Sequence, residues 1–267
     1  MDRNTPKPKG LRLEYASQFK DTSVAAAYRY RPTYPDASFP MLADLVVGRP
    51  RRVLDVGCGT GFVARPLVDY VDWVDAVDFS APMLEIGRVL PNGDHPHLRW
   101  FHGAVEELDL DPPYGLVTAG SSLHWMEWST VMPRFRRLLH RDGFVVLVGM
   151  TAFSRLPWWS ALLPVIQRHS TNRDFQPYDT IAELTARGLF SESGRARTEP
   201  VPVSQTIADY IESLHARNGL SRERMHPDAA ADFDAAAWEI LSPHALDGVL
   251  RWQNQGTLVW GRPDPNP

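Results

Sequence analysis

Short apolar runs that close on acidic residues recur through the first part of the chain. Residues 53–56 break directly into Gly57-Cys58-Gly59-Thr60-Gly61, and apolar Phe62 and Val63 resume at once. Trp73–Asp78 is a second such run, with Pro82, Met83 and Leu84 opening a helix behind it. Further runs stand at Leu98–His102, 116–120 and 144–148, the last preceded by a helical stretch over 127–140 and a turn at Arg141-Asp142-Gly143. Strands of this length alternating with helical segments predict an α/β fold on a mostly parallel sheet.

Segments on either side extend the pattern. Residues 25–30 read as a short helix that ends at Arg31-Pro32, because the residue before proline is pushed out of the α region. Another helix begins within 156–163, a sixth strand falls around 198–203, and the last strand lies at 256–261 ahead of a polar, proline-rich tail. Residues 205–253 separate those two strands and read as helices. Ile207, Ile211 and Leu214 form one apolar stripe, and Phe233, Ala237, Ile240 and Leu241 form another at helical spacing.

The glycine-dense break after the first strand carries the chemistry. Glycine lets the backbone approach a ligand and take φ > 0 cheaply, and a helix that starts there presents free N–H groups. A dinucleotide turn reads G-x-G-x-x-G, whereas Gly57, Gly59 and Gly61 follow G-x-G-x-G. Asp78, closing the second strand, suits two ribose hydroxyls, since one carboxylate accepts both hydrogen bonds. Its structural alternative is a cap for the helix that starts near Ser80.

The G-x-G-x-G run with Asp78 behind it resembles motif I and its acidic partner in class I S-adenosylmethionine-dependent methyltransferases. The resemblance continues in order through Gly103-Ala104-Val105-Glu106-Glu107-Leu108 and Ser121-Ser122-Leu123-His124-Trp125-Met126, and covers residues 50–150. The His124-Trp125 pair, with Tyr28 and Arg31-Pro32-Thr33-Tyr34-Pro35 upstream, is similar to a small-molecule subgroup that includes the trans-aconitate enzymes. This implies one methyltransferase domain over 1–267 with a Rossmann-like, seven-stranded, mostly parallel sheet and helices on both faces. It also implies an N-terminal helical lid over 12–40, a cofactor-binding core over 41–204 and 254–262, and a helical substrate cap over 205–253.

The cofactor so implied is S-adenosylmethionine, with S-adenosylhomocysteine as product. Its expected binding residues are Arg31, Asp55, Gly57, Cys58, Gly59, Gly61, Asp78, Phe79, Met83, Ala104, Val105, Gly120 and Ser121. Arg31 can pair bidentately with the methionine carboxylate. Ala104 stands where many members carry an Asp that receives the adenine amino group, which leaves that contact to backbone of Ala104 and Val105 or to Glu106. Tyr28, Trp125, Tyr210 and His215 are expected to meet the acceptor, with a solvent or core-rim place on an amphipathic helix as the equal alternative for Tyr210 and for His215. His124 is the candidate catalytic base, as a neutral imidazole at the carboxyl edge of the sheet. The alternative is that it bonds backbone beneath the pocket.

Composition narrows the class. A formal charge of −4 gives no general attraction to phosphate backbones, which disfavours nucleic acid as a partner. No apolar run approaches the ~18 residues of a membrane span, and the polar start lacks a signal-peptide core. The single cysteine excludes an internal disulfide framework, so the expectation is a cytoplasmic enzyme, monomer or homodimer. Cys58 reads as the small residue its loop needs, and His95-Pro96-His97, with no clustered carboxylates, as a surface turn rather than a metal site. Asp111-Pro112-Pro113-Tyr114 spells the signature of enzymes that methylate amino groups of DNA bases. Here it precedes the 116–120 strand, which predicts a turn on the edge away from the cofactor. Among the nine tryptophans, Trp125, Trp128, Trp158 and Trp159 as a group suit the walls of a pocket, while core packing is the default for each taken singly.

The resulting expectation is methyl transfer to an O, N or C atom of a small organic molecule. Three alternatives remain open at this level: a non-transferring, cyclase-like member of the fold, a tRNA or other nucleic-acid methyltransferase, and a nicotinamide oxidoreductase.

Overall fold

The computed structural model describes residues 6–150, 155–176 and 178–263. Its centre is a seven-stranded sheet. β1 (Arg52–Val56), β2 (Trp73–Asp78), β3 (Leu98–His102), β4 (Tyr114–Gly120) and β5 (Leu139–Met150) are parallel, and β9 (Gly256–Pro263) runs antiparallel between β5 and β6 (Phe190–Arg197). The order is β3-β2-β1-β4-β5-β9-β6. Chain direction across the sheet reverses between β1 and β4, and in open α/β sheets ligands bind in the crevice at such a switch point.

The central strands are apolar on both faces because helices cover both. Leu54 and Val56 pack with Val117, Trp128 and Phe135 on one side, while Val53 packs with Leu42, Leu67, Leu116 and Val146 on the other. Helices α3 (Ser38–Asp44), α4 (Ala64–Leu67), α5 (Ala81–Val89) and α6 (Trp128–Leu138) supply these layers. The turn expected at Arg141–Gly143 is absorbed into β5 next to a register shift opposite Tyr114–Leu116.

Two regions depart further from the sequence reading. The sixth strand lies at Phe190–Arg197, not 198–203; only Phe190 of that strand is buried, so an edge strand left no apolar signature. Residues 205–253 are not wholly helical. β7 (Val201–Thr206) and β8 (Val249–Asn254) pair as a separate antiparallel ribbon flanking α9 (Ile207–His215) and α10 (Pro227–Leu241). With α7 (Trp159–His169) they enclose their own core, in which Trp158, Leu162, Tyr210, Leu214, Phe233 and Leu250 are buried. The helical stripes of α9 and α10 are buried as expected, Ile240 partly. α8 (Thr180–Ala186) packs beside β6.

The N-terminal segment, with α1 (Leu13–Ala16) and α2 (Thr22–Ala27), is held to the 217–224 loop by polar bonds. Arg224 grips Asp21 through Nε and Nη2 at 2.7 and 2.9 Å, Ser221 Oγ donates to Asp21 at 2.6 Å, and Gly219 N–H donates to buried Gln18 at 2.9 Å. Within the described residues no helix is long and apolar enough to cross a membrane.

At the amino edge, Asp75 of β2 is 1% exposed and gathers Arg99 (2.7 and 2.8 Å), the Tyr114 hydroxyl (2.6 Å) and Arg52 (3.6 Å). Tyr114 is thus spent on the sheet edge opposite the glycine loop, and Asp111 pairs with Arg52 at 3.2 Å. Asp75→Ala strands a buried hydroxyl and two guanidiniums, of which the half-exposed Arg99 rehydrates. A loss of about 3 kcal/mol is expected, read as a lower urea midpoint at unchanged slope.

Candidate active site

The carboxyl end of β1 turns through three glycines, all left-handed: Gly57, Gly59 and Gly61 have φ of 61°, 56° and 82°. A Cβ on Gly57 would stand 2.5 Å from Ser122 Cβ, and one on Gly61 would stand 2.7 Å from the Trp100 ring. Both positions are closed to larger residues by conformation and space together. Asp78 fixes this loop from below. Its Oδ2 accepts from Gly59 N–H at 2.7 Å and its Oδ1 from Ser80 N–H at 2.8 Å. The cap of α5 itself is Ser80, whose hydroxyl accepts from Met83 N–H.

A cleft of about 390 Å³, its open mouth included, lies above the loop. Asp55, Gly57 and Cys58 form its floor, Phe62 and Val63 one wall, Gly120 and Ser121 of β4 another, and Met150 closes the β5 side. Tyr28, Arg31, Pro32 and Tyr34 of the N-terminal segment complete it. Tyr28 is anchored there by Arg31, which donates to its hydroxyl at 3.0 Å and lies over its ring at 4.8 Å, and by Phe62 at 5.6 Å between ring centroids. Ser121, with φ of 52°, is a non-glycine residue in the left-handed region, strain that clusters at functional sites. Tyr34 donates to its hydroxyl at 3.4 Å. Tyr34, Pro32, Phe62 and Met150 were not among the expected site residues; the Arg-Pro-x-Tyr-Pro run was the available signal for the first two.

Asp55 is the most informative group in the cleft. Thr118 Oγ donates to its Oδ1 at 2.8 Å, while the buried Oδ2 has no hydrogen-bond partner among the described residues. Burial raises its pKa to about 7, opposed by the Thr118 bond and by the nearby Ala64 N–H, which is outside hydrogen-bond geometry to Oδ2, and helped by the charge of Asp78. Asp78 is raised to about 6 by burial, against the Gly59 and Ser80 N–H bonds. Burial likewise pushes the Cys58 thiol well above its usual range, so it is no nucleophile at neutral pH.

The remaining expected residues divide. Phe79 lies under the Lys20 ammonium at 5.2 Å, and Met83 is buried against Val24 and Ala25 of α2, which places the N-terminal segment over the end of β2. Val105 is buried in the sheet core next to Ala104, whose carbonyl accepts from Glu107 and Leu108. His124 and Trp125 occupy a single 3-10 turn after β4 but do not line the cleft. Burial, with the charges of Lys7 and Arg31, pushes His124 down to about 3. Lys7 reaches that turn by donating to the carbonyls of His124 and Met126 at 3.2 and 2.8 Å. An imidazole held so strongly neutral is a poor proton acceptor, and it stands beside the cleft rather than in its lining.

Besides Trp125, two more acceptor assignments are not brought to the cleft. Tyr210 is 1% exposed, packed edge-on to Trp158 and Trp252 in the cap core. His215, also 1% exposed, bonds Leu220 carbonyl and Asp234 carboxylate, each at 2.7 Å, and so ties α9 to α10. Trp128 and Trp158 are core residues rather than walls, and Trp128 donates to Leu123 carbonyl at 2.8 Å. A helical stripe shows which face is buried but not whether it is buried on a neighbour or on a cavity.

Comparison with known proteins agrees with this geometry. Residues 53–143 match the methyltransferase domain family. An uncharacterized methyltransferase of Mycobacterium tuberculosis is 32% identical over 148 residues, 55% of this chain and 58% of the relative, so the chain spans little more than half of the relative's length. A malonyl-[acyl-carrier protein] O-methyltransferase of Pseudescherichia vulneris is 25% identical over 188 residues, 70% of each chain. Among solved structures, one from Anaeromyxobacter dehalogenans, assigned as a type II methyltransferase, superposes with a TM-score of 0.61 at 21% identity. It covers 87% of this chain and 97% of that one. Residues 53–143 thus match a methyltransferase domain, within a chain that shares its fold with that structure; the methyl donor expected from the sequence is S-adenosylmethionine.

The cleft fits the amino-acid end of that cofactor. A buried, unpartnered carboxylate oxygen on Asp55 suits an ammonium, and Arg31, with no carboxylate partner among the described residues, suits a carboxylate. The raised pKa values of Asp55 and Asp78 carry a stability signature. Between about pH 4 and pH 7 the folded chain binds more protons at these groups than the unfolded chain does, so their contribution is present at the acid end and lost as pH rises. In ligand-free protein, Asp55→Asn is expected to reduce the fall in Tm between pH 5 and pH 8. An identical fall in wild type and variant would contradict the assignment.

Proposed function

We propose that the protein transfers the methyl group of S-adenosylmethionine to an O, N or C atom of a small organic molecule. One observation carries this reading: the unpartnered oxygen of Asp55 and the guanidinium of Arg31 line one cleft over a left-handed glycine loop. That pair complements a zwitterion and has no counterpart in a dinucleotide's needs. Asp55 holds the ammonium, Arg31 the carboxylate, and the glycine backbone lets the chain pass beneath. The remaining acceptor lone pairs of Asp78 take the ribose hydroxyls, with Phe79 and Met83 beside it.

When bound, the cofactor supplies an activated methyl on a sulfonium, so the chain has only to align an acceptor and exclude water. Tyr28, Pro32 and Tyr34 close the cleft from the N-terminal side. His124 is assigned no proton transfer. Its environment keeps it neutral, and it stands outside the lining of the cleft.

Calorimetric titration tests the cofactor half. S-adenosylhomocysteine is expected to bind while NADH and NADPH give no heat; the reverse would replace the reading with an oxidoreductase. Asp78→Ala should weaken S-adenosylhomocysteine by about 1.5–3 kcal/mol, the scale of lost hydrogen bonds to a charged group. Incubation with methyl-labelled cofactor and either fractionated metabolites or tRNA tests the acceptor half. Label recovered only in RNA would defeat it. Once an acceptor is in hand, His124→Asn should lower kcat by less than about tenfold, against the roughly 10²–10⁴ expected for a lost general base.

A further inference from the structure

His215 ends α9 with both ring nitrogens against oxygen atoms. Nδ1 stands 2.7 Å from the Leu220 carbonyl, and Nε2 stands 2.7 Å from Oδ1 of Asp234 on α10. A carbonyl has no proton to give, so Nδ1 carries one, and the second bond needs another proton, on Nε2 or on the carboxyl. Arg222 decides between these. It donates to Oδ2 of Asp234 at 3.0 Å and to Glu212 of α9 at 2.6 Å. Burial alone would raise Asp234, but the bonds from His215 and Arg222 hold it below the usual carboxylate range. The proton therefore sits on His215, a buried imidazolium. The Phe233 ring stands edge-on to it at 5.3 Å, with His169 of α7 at 5.9 Å from that same ring. Arg217, two residues on, is buried within electrostatic reach of Tyr210, Arg31 and Tyr28. The 217–224 loop hangs on this imidazolium. Leu220 lies between Gly219, whose N–H donates to Gln18, and Ser221, whose hydroxyl donates to Asp21, while Asn218 donates to the Tyr15 carbonyl. α2 and the Tyr28–Tyr30 turn also pack on α9 itself.

We propose that His215 is a positioning residue for the cofactor cleft: charged, it fixes Leu220 and, through the 217–224 loop, latches Tyr28 and Arg31 over the cleft; neutral, it releases them. Loss of its proton leaves a ring-nitrogen lone pair facing either the carbonyl or the carboxylate, an unmade bond in a buried place. The direction follows. The latch is intact while His215 is protonated and is lost as pH rises through its titration, so cofactor affinity falls with it. Asp55, raised by burial to about 7, works the other way, because its ionised form is the one that meets the ammonium. The inference rests on the cofactor reading above.

Asp234→Asn separates charge from position. Its amide nitrogen can donate to a neutral Nε2 while its oxygen still accepts from Arg222, so every bond is made without the imidazolium. S-adenosylhomocysteine is titrated calorimetrically into the full chain, wild type and variant, across the range in which a histidine titrates, about pH 6 to about pH 9. Asp55 is common to both proteins, so the ratio of their affinities isolates His215. That ratio, variant over wild type, is expected to rise from near one at the acid end to about tenfold at the alkaline end, the scale of one buried hydrogen bond. Amide exchange of Gly219, compared between the two proteins at each pH without cofactor, reads the latch directly. It should be faster in wild type at the alkaline end only. Nitrogen-15 NMR of the side chain should show two bonded protons on wild-type His215 at the acid end, a readout that needs no variant. A flat affinity ratio, or a single bonded proton there, would overturn the proposal. If exchange responds but S-adenosylhomocysteine does not bind, the latch stands and its role at the cleft falls with the cofactor reading. If it binds and neither ratio nor exchange responds, only the latch fails.

Discussion

The carboxylate of Asp78 holds the site in one piece. One oxygen takes the N–H of Gly59 and the other the N–H of Ser80, so the tip of β2, the glycine loop after β1 and the start of α5 share a single buried anchor. The loop needs it. Three residues with φ > 0 make no ladder of their own, and the N–H of Gly59 would otherwise be an unpaired donor in a buried place. The N-terminal segment refers to the same anchor. Ser80 Oγ donates to the Phe19 carbonyl at 2.6 Å, and the Tyr28 ring stands 3.4 Å from where a Cβ on Gly59 would be. Floor and cover of the cleft are therefore positioned by one group.

The cover is assembled differently from the sheet. Strands β1, β2 and β4 are fixed by apolar burial on both faces, whereas the N-terminal segment meets the 217–224 loop through Asp21, Gln18, Ser221 and Arg224. Apolar packing tolerates exchange of similar volumes, while these bonds demand particular partners. The cap behind them has its own core, and His215 serves it by bridging Leu220 and Asp234.

How much of this was legible in the chain follows from range. The parallel strands, the glycine loop and Asp78 could be read because each is a local pattern: an apolar run buried on both faces, a turn that only glycine fits, an acid at a strand end. The edge strand β6 could not be read, since one buried residue in eight leaves no periodicity. Nor could the ribbon, whose alternating exposure is spread over two segments far apart in sequence. His124 shows the limit for chemistry. Its position after β4 was legible, but its proton affinity is set by burial first and then by the charges of Lys7 and Arg31, both distant along the chain.

The sequence by itself determined the class of fold and the left-handed glycine loop that ends β1, because those depend on backbone conformation and on neighbours a few residues away. Tertiary structure alone decided which side chains face space and which face core. Tyr210 and His215 went to the core of the cap and Tyr28 and Tyr34 to the cleft, since only the packing of the cap and the N-terminal segment against the sheet fixes where volume is left unfilled.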